Sequence, residues 1–226
     1  MKLNNNCPIC KSDNIVDLIY HQGNYKCNNC GHLFKKGVFD YLWYIKNDYW
    51  YKDDKYTLQI YQKMFFSVFE DFIVNNTSCL EIGSANGDFL YWVKDKIKNI
   101  DYNELVDILR VEYTFINNKL IGDLKNICFK KKYQNIFLND VIEHFDDIFT
   151  YMGIIVKLLD KKGRLFIITN NGDSINSHNE LIYHQEHLNI FSKKSFDIFI
   201  SNFSNIKEIF KFNSPQGLSF IVLEKD

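Results

Sequence analysis

Leu80-Glu81-Ile82-Gly83-Ser84-Ala85-Asn86-Gly87-Asp88 puts an apolar strand, a turn of small residues and a helix start in immediate succession. The strand is Ser78-Cys79-Leu80-Glu81-Ile82, and Phe89, Leu90, Trp92 and Val93 continue as an apolar helix. Small residues at 83, 85 and 87 let a ligand approach the backbone closely at a strand-to-helix switch. A nicotinamide-binding G-x-G-x-x-G would need its third glycine at position 88, which is Asp88. The pattern reads instead as acid-x-Gly-x-Ala-x-Gly, with Glu81 as the acid.

From Thr77 onward strands and helices alternate, which implies a largely parallel sheet. Ile97–Asp101 reads as a weak second strand, Asn103–Tyr113 as a helix and Lys119–Asp123 as a third strand. Asn135–Leu138, Arg164–Thr169, Asn205–Phe212 and Gly217–Leu223 supply four more strands. Asp101 lies 18 residues beyond Gly83 (101 − 83) at the expected end of the second strand. A carboxylate there accepts hydrogen bonds from the ribose hydroxyls of a nucleoside cofactor. Glu112 is the competing acid, but it falls late in a helical pattern. Asp123 closes the third strand, where a carboxylate can meet an adenine amino group. Each acid alone can equally be a loop residue or a helix cap; the three landmarks in order are harder to obtain by accident.

With these residues in place the chain resembles class I S-adenosylmethionine-dependent methyltransferases. Leu80 to Gly87 is similar to their first motif, with Ala85 where a glycine is commoner. Asn139-Asp140-Val141-Ile142-Glu143-His144-Phe145 resembles the motif after their fourth strand. Lys161-Lys162-Gly163-Arg164-Leu165-Phe166-Ile167 resembles the turn entering the fifth, with Lys162 in place of the commoner proline. Glu186-His187-Leu188-Asn189-Ile190-Phe191-Ser192 resembles a segment of the ubiquinone-biosynthesis-like subgroup. The resemblance implies a Rossmann-like, doubly wound α/β sheet of seven strands with the last antiparallel. It also implies S-adenosyl-L-methionine at Glu81, Gly83, Ala85, Gly87, Asp101 and Asp123, with Asp140 near the methionine end. An activated methyl leaves alignment as the protein's main task. A hydroxyl acceptor also benefits from a general base, and His144 and His187 are the candidates. A lone histidine is more often a structural hydrogen-bonder; His178 and His184 are weaker candidates.

Upstream, Cys7, Cys10, Cys27 and Cys30 form C-x2-C-x16-C-x2-C. Two such turns close a tetrahedral sulfur shell around Zn2+, with no open position for substrate. Two disulfides or four unrelated thiols are the alternatives. The start Met1-Lys2-Leu3-Asn4-Asn5-Asn6 is polar and does not read as a secretory leader, so a cytoplasmic, reducing setting is expected. Losing the metal should unfold this ribbon and leave cofactor binding mostly intact. His32 is a possible substitute ligand, but Cys30 has the better spacing. The expected division is a zinc ribbon over 1–36, an aromatic-rich connector and helix over 37–76, and the methyltransferase domain over 77–226. In the connector, Tyr61, Met64, Phe65, Val68, Phe69 and Phe72 follow one helical face. The preceding Tyr41, Trp43, Tyr44, Tyr49, Trp50, Tyr51 and Tyr56 read equally as a substrate-contacting lid or as packing. This layout resembles methyltransferases linked to sugars and surface polysaccharides, which is a loose guide to substrate.

A formal net charge of −1 and a pI near 6.6 disfavour a polyanionic partner. Lys130-Lys131-Lys132 reads as a solvated loop, and Cys79 and Cys128 as core thiols. No apolar run approaches the ~18 residues that span a bilayer. The leading expectation is O-methylation of a small hydroxylated metabolite, a sugar or nucleotide sugar. The alternatives are an RNA base methyltransferase gripping its substrate with the ribbon, and a non-enzymatic cofactor-binding interaction module.

Overall fold

The computed structural model describes residues 6–18, 23–36, 55–85, 87–105, 113–174 and 186–226. The aromatic segment before residue 55, Glu112, His178 and His184 lie outside these residues.

Three short strands, β1 (Ile15–Asp17), β2 (Asn24–Cys27) and β3 (Leu33–Lys35), carry the two cysteine turns. Helix α1 (Lys55–Phe69) and a 3-10 turn (Glu70–Phe72) lead into β4 (Ser78–Ile82). Then follow α2 (Asp88–Val93), β5 (Asn99–Glu104), β6 (Ile116–Ile121) and β7 (Tyr133–Asn139). A 3-10 turn (Ile142–His144) and α3 (Ile148–Leu158) precede β8 (Leu159–Asn170). The chain ends in β9 (Asn189–Ile190), α4 (Lys193–Ile200), β10 (Ile206–Asn213) and β11 (Leu218–Lys225).

The large sheet has the order β10-β11-β8-β7-β4-β5-β6. β4, β5, β6, β7 and β8 are parallel, and β11 runs antiparallel to both β8 and β10. The seven-stranded sheet with an antiparallel last strand is therefore as expected. The chain moves outward from β4 to β6, then returns to place β7 on the other side of β4. That reversal is the switch point where open α/β sheets bind ligands.

Central parallel strands are buried on both faces, so their side chains divide by the two-residue alternation of the pleat. Phe137 and Phe166 stack at 4.7 Å on one face, against Phe69 of α1 and Phe89 of α2. Ile136, Leu138, Leu165 and Ile167 go to the other core, with Met152 of α3 and Phe199 of α4. In α1 the buried face is narrower than the sequence pattern indicates. Phe65 and Phe69 are buried, whereas Tyr61 and Met64 are exposed.

The second strand runs past its expected end, to Glu104. Asp101 is therefore not at the sheet's ligand-binding edge but inside the strand, 1% exposed. Its carboxylate accepts from the Tyr133 hydroxyl at 2.7 Å and the Asn118 amide at 2.8 Å, and pairs with Lys131 at 2.9 Å. Lys131 is thus tied to the strand rather than simply solvated, while Cys79 is buried and Cys128 exposed.

The small sheet is not confined to the N-terminal residues. Its order is β1-β2-β3-β9, and β9 comes from the segment after β8. Leu33 pairs with Ile190 and Phe34 with Asn189, antiparallel. Ser192 serves both parts. It caps α4 by accepting from Ser195 N, and its hydroxyl donates to the Cys30 carbonyl at 2.5 Å. Among the described residues no helix is long and apolar enough to cross a membrane.

Candidate active site

The turn after β4 has left-handed backbone at three positions: Gly83 (φ +64°), Ala85 (φ +45°) and Gly87 (φ +71°). At Gly83 a Cβ would lie 2.6 Å from Val141 Cγ2, so the close approach of the two edge loops requires glycine. At Ala85 the strain of a non-glycine residue is held by two side chains of β5. The Tyr102 hydroxyl donates to the Ala85 carbonyl at 3.2 Å, and Glu104 Oε2 accepts from Ala85 N at 3.2 Å. Those bonds over-determine an unfavourable conformation. Glu104 also accepts from Leu105 N at 2.8 Å and is buried.

A cavity of about 200 Å³ opens at this edge between the ends of β4, β5, β6 and β7. Gly83, Glu104, Asp123, Asp140 and His144 all line it, with Leu188 as part of its wall. Asp123 stands just beyond β6, accepting from the Tyr151 hydroxyl at 2.9 Å. Asp140 begins the loop after β7 with left-handed backbone, φ +52°. Asn103 reaches from β5 to the carbonyls of Leu120 and Gly122, fixing the loop that carries Asp123. The structure therefore brings together Gly83, Asp123, Asp140 and His144. Glu81 and His187 sit behind this wall, and Asp101 does not line the cavity. Glu104, at the end of β5, occupies the edge expected for Asp101. Spacing alone does not separate the two, since 101 − 83 = 18 and 104 − 83 = 21 both lie near the usual spacing of about 20 residues.

Glu81 is fully enclosed beside this edge, and Asn139 Nδ2 donates to it at 2.8 Å. Burial pushes its carboxyl up to about 8; the Asn139 bond opposes the rise, and the charges of Asp88 and Glu104 add to it. An acid whose folded pKa is raised stabilises the fold fully below its ordinary value near 4.5. That contribution is lost as pH rises toward 8, at up to about 1.4 kcal/mol per pH unit. Glu81→Gln is expected to flatten this fall. Urea midpoints at pH 5, 6 and 7 test it; parallel slopes in the two proteins would refute the assignment.

His144 and His187 face each other with ring centroids 5.1 Å apart. Glu143, fully buried, lies beside them and accepts from the Thr169 hydroxyl at 2.9 Å. The loop bearing His187 is tied to the turn bearing His144 through Leu188 N donating to the Glu143 carbonyl at 2.8 Å.

In the small sheet the four cysteine sulfurs all lie within 4.8 Å of one another. Cys7 to Cys30 is 3.7 Å and Cys10 to Cys27 is 3.5 Å. A tetrahedron with Zn–S bonds of 2.3 Å has edges of about 3.8 Å, so the spacing fits zinc. The sulfurs are free thiols, not disulfides. His32 lies outside this cluster: its Nε2 bonds Asn189 Oδ1 at 3.2 Å.

An open α/β sheet of this order, with a glycine turn and acidic edge at the switch point, defines a nucleoside-cofactor-binding protein of methyltransferase architecture. The chain belongs to the family described as methyltransferase domain, whose model matches residues 49–198. It is an S-adenosylmethionine-dependent methyltransferase. No curated protein matches it. Among solved structures it is similar to the 1,6-didemethyltoxoflavin-N1-methyltransferase of Burkholderia thailandensis, whose structure holds 1,6-didemethyltoxoflavin and S-adenosylhomocysteine. That match has 11% identity and a TM-score of 0.64, covering 91% of this chain and 97% of the other. It is also similar to the N-methyltransferase NodS of Bradyrhizobium japonicum, at 13% identity and a TM-score of 0.57, covering 76% and 98%. At these identities the likeness concerns the fold.

Proposed function

We propose that this enzyme transfers the methyl group of S-adenosylmethionine to a hydroxyl of a small metabolite, a sugar or nucleotide sugar. The observation carrying this reading is His144 in the wall of the cavity that Glu104, Asp123 and Gly83 also line, with His187 against it. The cofactor supplies an electrophilic methyl carbon on a sulfonium. Glu104 accepts from the ribose hydroxyls, Asp123 meets the adenine amino group and Gly83 admits the cofactor close to the backbone. Asp140 holds the methionine end, and Glu81 supports the turn from behind. A hydroxyl is a poor nucleophile until its proton is withdrawn, and the His144–His187 pair activates it. The cysteine module, over 1–36, holds one structural Zn2+ through Cys7, Cys10, Cys27 and Cys30. Residues 37–76 connect it to the catalytic domain over 77–226. Four thiols in a metal shell suit a reducing compartment, the cytoplasm.

The N-methyltransferase activity of the two similar proteins favours a second reading, transfer to nitrogen. A neutral amine is nucleophilic without a base, so the two readings separate at the histidines. Nucleotide sugars, small amines and structured RNA are to be assayed with methyl-labelled cofactor. Label is expected in the hydroxylated sugars, with turnover lowered roughly 10²–10⁴-fold in His144→Ala. Transfer to amines that survives His144→Ala would favour nitrogen. Salt-sensitive transfer to RNA alone would overturn the small-molecule reading.

A further inference from the structure

The Glu143–His144–His187 group has the composition of a metal site as well as of a base. One ligand atom from each residue lies within 4.8 Å of the others. Glu143 and His144 come from the 3-10 turn after β7, and His187 from the segment that continues into β9. Glu143 is completely buried and His187 is 8% exposed, while His144 opens onto the cofactor cavity.

Each candidate ligand is oriented by a neighbour, as metal ligands are. His144 Nδ1 donates to the Glu186 carbonyl at 3.0 Å, which leaves the lone pair on Nε2. His187 Nδ1 meets the Asn170 side-chain amide at 3.3 Å. Turned over, that amide accepts from Nδ1–H and leaves Nε2 of His187 to ligate. Thr169 donates to one oxygen of Glu143. A second bond, Leu188 N to the Glu143 carbonyl, fixes the two segments to each other. Two imidazoles and one carboxylate are the ligand set of open catalytic sites for Zn2+ and for first-row metals such as Fe2+. They do not resemble the all-oxygen shells of Mg2+ or Ca2+.

We propose that Glu143, His144 and His187 bind one divalent first-row transition-metal ion, and that its open positions face the acceptor end of the cavity. This deepens the reading that the two histidines activate a hydroxyl. They act as ligands, and the ion lowers the pKa of the acceptor hydroxyl as zinc lowers that of water. The hydroxyl proton leaves to solvent. The oxygen lone pair forms the new O–C bond as the C–S bond breaks, and the sulfonium becomes a neutral thioether. The site is distinct from the four-cysteine shell, whose thiolates select softer ions than Mn2+.

The test is Mn2+ titration of the full chain, followed by loss of the free-ion electron paramagnetic resonance signal. One Mn2+ per chain is expected in the wild type. Affinity should fall at least about tenfold in His187→Ala and Glu143→Gln, the scale seen for lost support of metal ligands. Circular dichroism and calorimetry with S-adenosylhomocysteine verify folding; His187→Asn substitutes if Glu143→Gln does not fold. Metal-depleted enzyme should lose turnover and regain it with Mn2+. Equal Mn2+ binding by wild type and His187→Ala overturns the site. Full turnover by protein free of metal at this site overturns the ion's role, and leaves methyl transfer to a hydroxyl standing. Mn2+ binding with transfer to amines alone overturns the hydroxyl reading and the ion's acceptor role with it.

Discussion

Glu104→Ala is expected to weaken binding of S-adenosylmethionine and S-adenosylhomocysteine by about ten- to a hundredfold. That corresponds to about 1.5–3 kcal/mol for a hydrogen bond to a charged group. Two effects add in the same direction. The ribose would lose the acceptor proposed for it at the end of β5. Ala85 N also loses the carboxylate that holds the turn in its left-handed conformation. Asp101→Asn should behave oppositely, leaving cofactor affinity unchanged while lowering thermal stability. Its carboxylate serves Tyr133, Asn118 and Lys131 inside the sheet, away from the cavity. Calorimetric titration and a thermal melt on both variants check the pair. Weakened binding in Asp101→Asn with normal binding in Glu104→Ala would reverse the assignment of the ribose acid.

Cys27→Ser is expected to abolish the proposed zinc site and, with it, lower turnover by on the order of 100-fold, the scale for misplacing a reacting group by about 1 Å. Cofactor affinity should change little, because Gly83, Glu104 and Asp123 belong to the large sheet. The effect travels through β3 and β9. Lys35 N donates to the Leu188 carbonyl at 2.9 Å, and Leu188 is part of the cavity wall. His32, between Phe34 and Phe191, bonds Asn189, whose amide in turn donates to the Phe145 carbonyl at 2.7 Å. The Lys194 ammonium donates to the Asn29 carbonyl at 2.5 Å. The cysteine module is therefore a buttress for the segment carrying His187, not an independent appendage. The supporting readouts are metal content, affinity for S-adenosylhomocysteine, and amide exchange of Leu188. A variant without zinc that keeps full turnover and a protected Leu188 amide would sink the buttress.

The parts of this protein legible in the chain were those written in local patterns. Apolar runs bounded by turns mark β4, β7, β8 and β11. The small residues at 83, 85 and 87 mark the turn, because a left-handed backbone and close approach restrict residue type at the position itself. The C-x2-C pairs declare their sulfur cluster for the same reason: two ligands come from one turn. The order of landmarks from Gly83 through Asp140 to His144 also placed the cavity edge, since successive strand ends of a parallel sheet lie on one side. Element boundaries and long-range pairings were not written locally. β5 ends Asp101-Tyr102-Asn103-Glu104, four buried residues of which three are polar. No hydrophobic signal extends such a strand, and a boundary placed at Asp101 exchanges a structural carboxylate for the edge carboxylate. Its true length follows from pairing with β4 and β6, where Ile82 faces Asn103 and Glu104 faces Ile121. The same holds for β3 and β9, about 155 residues apart (189 − 34). Their two-residue pairing carries too little pattern to be read from either segment alone. Only folding of the large sheet brings the Leu188 segment to the free edge of β3, and so joins the cysteine module to the wall of the active site.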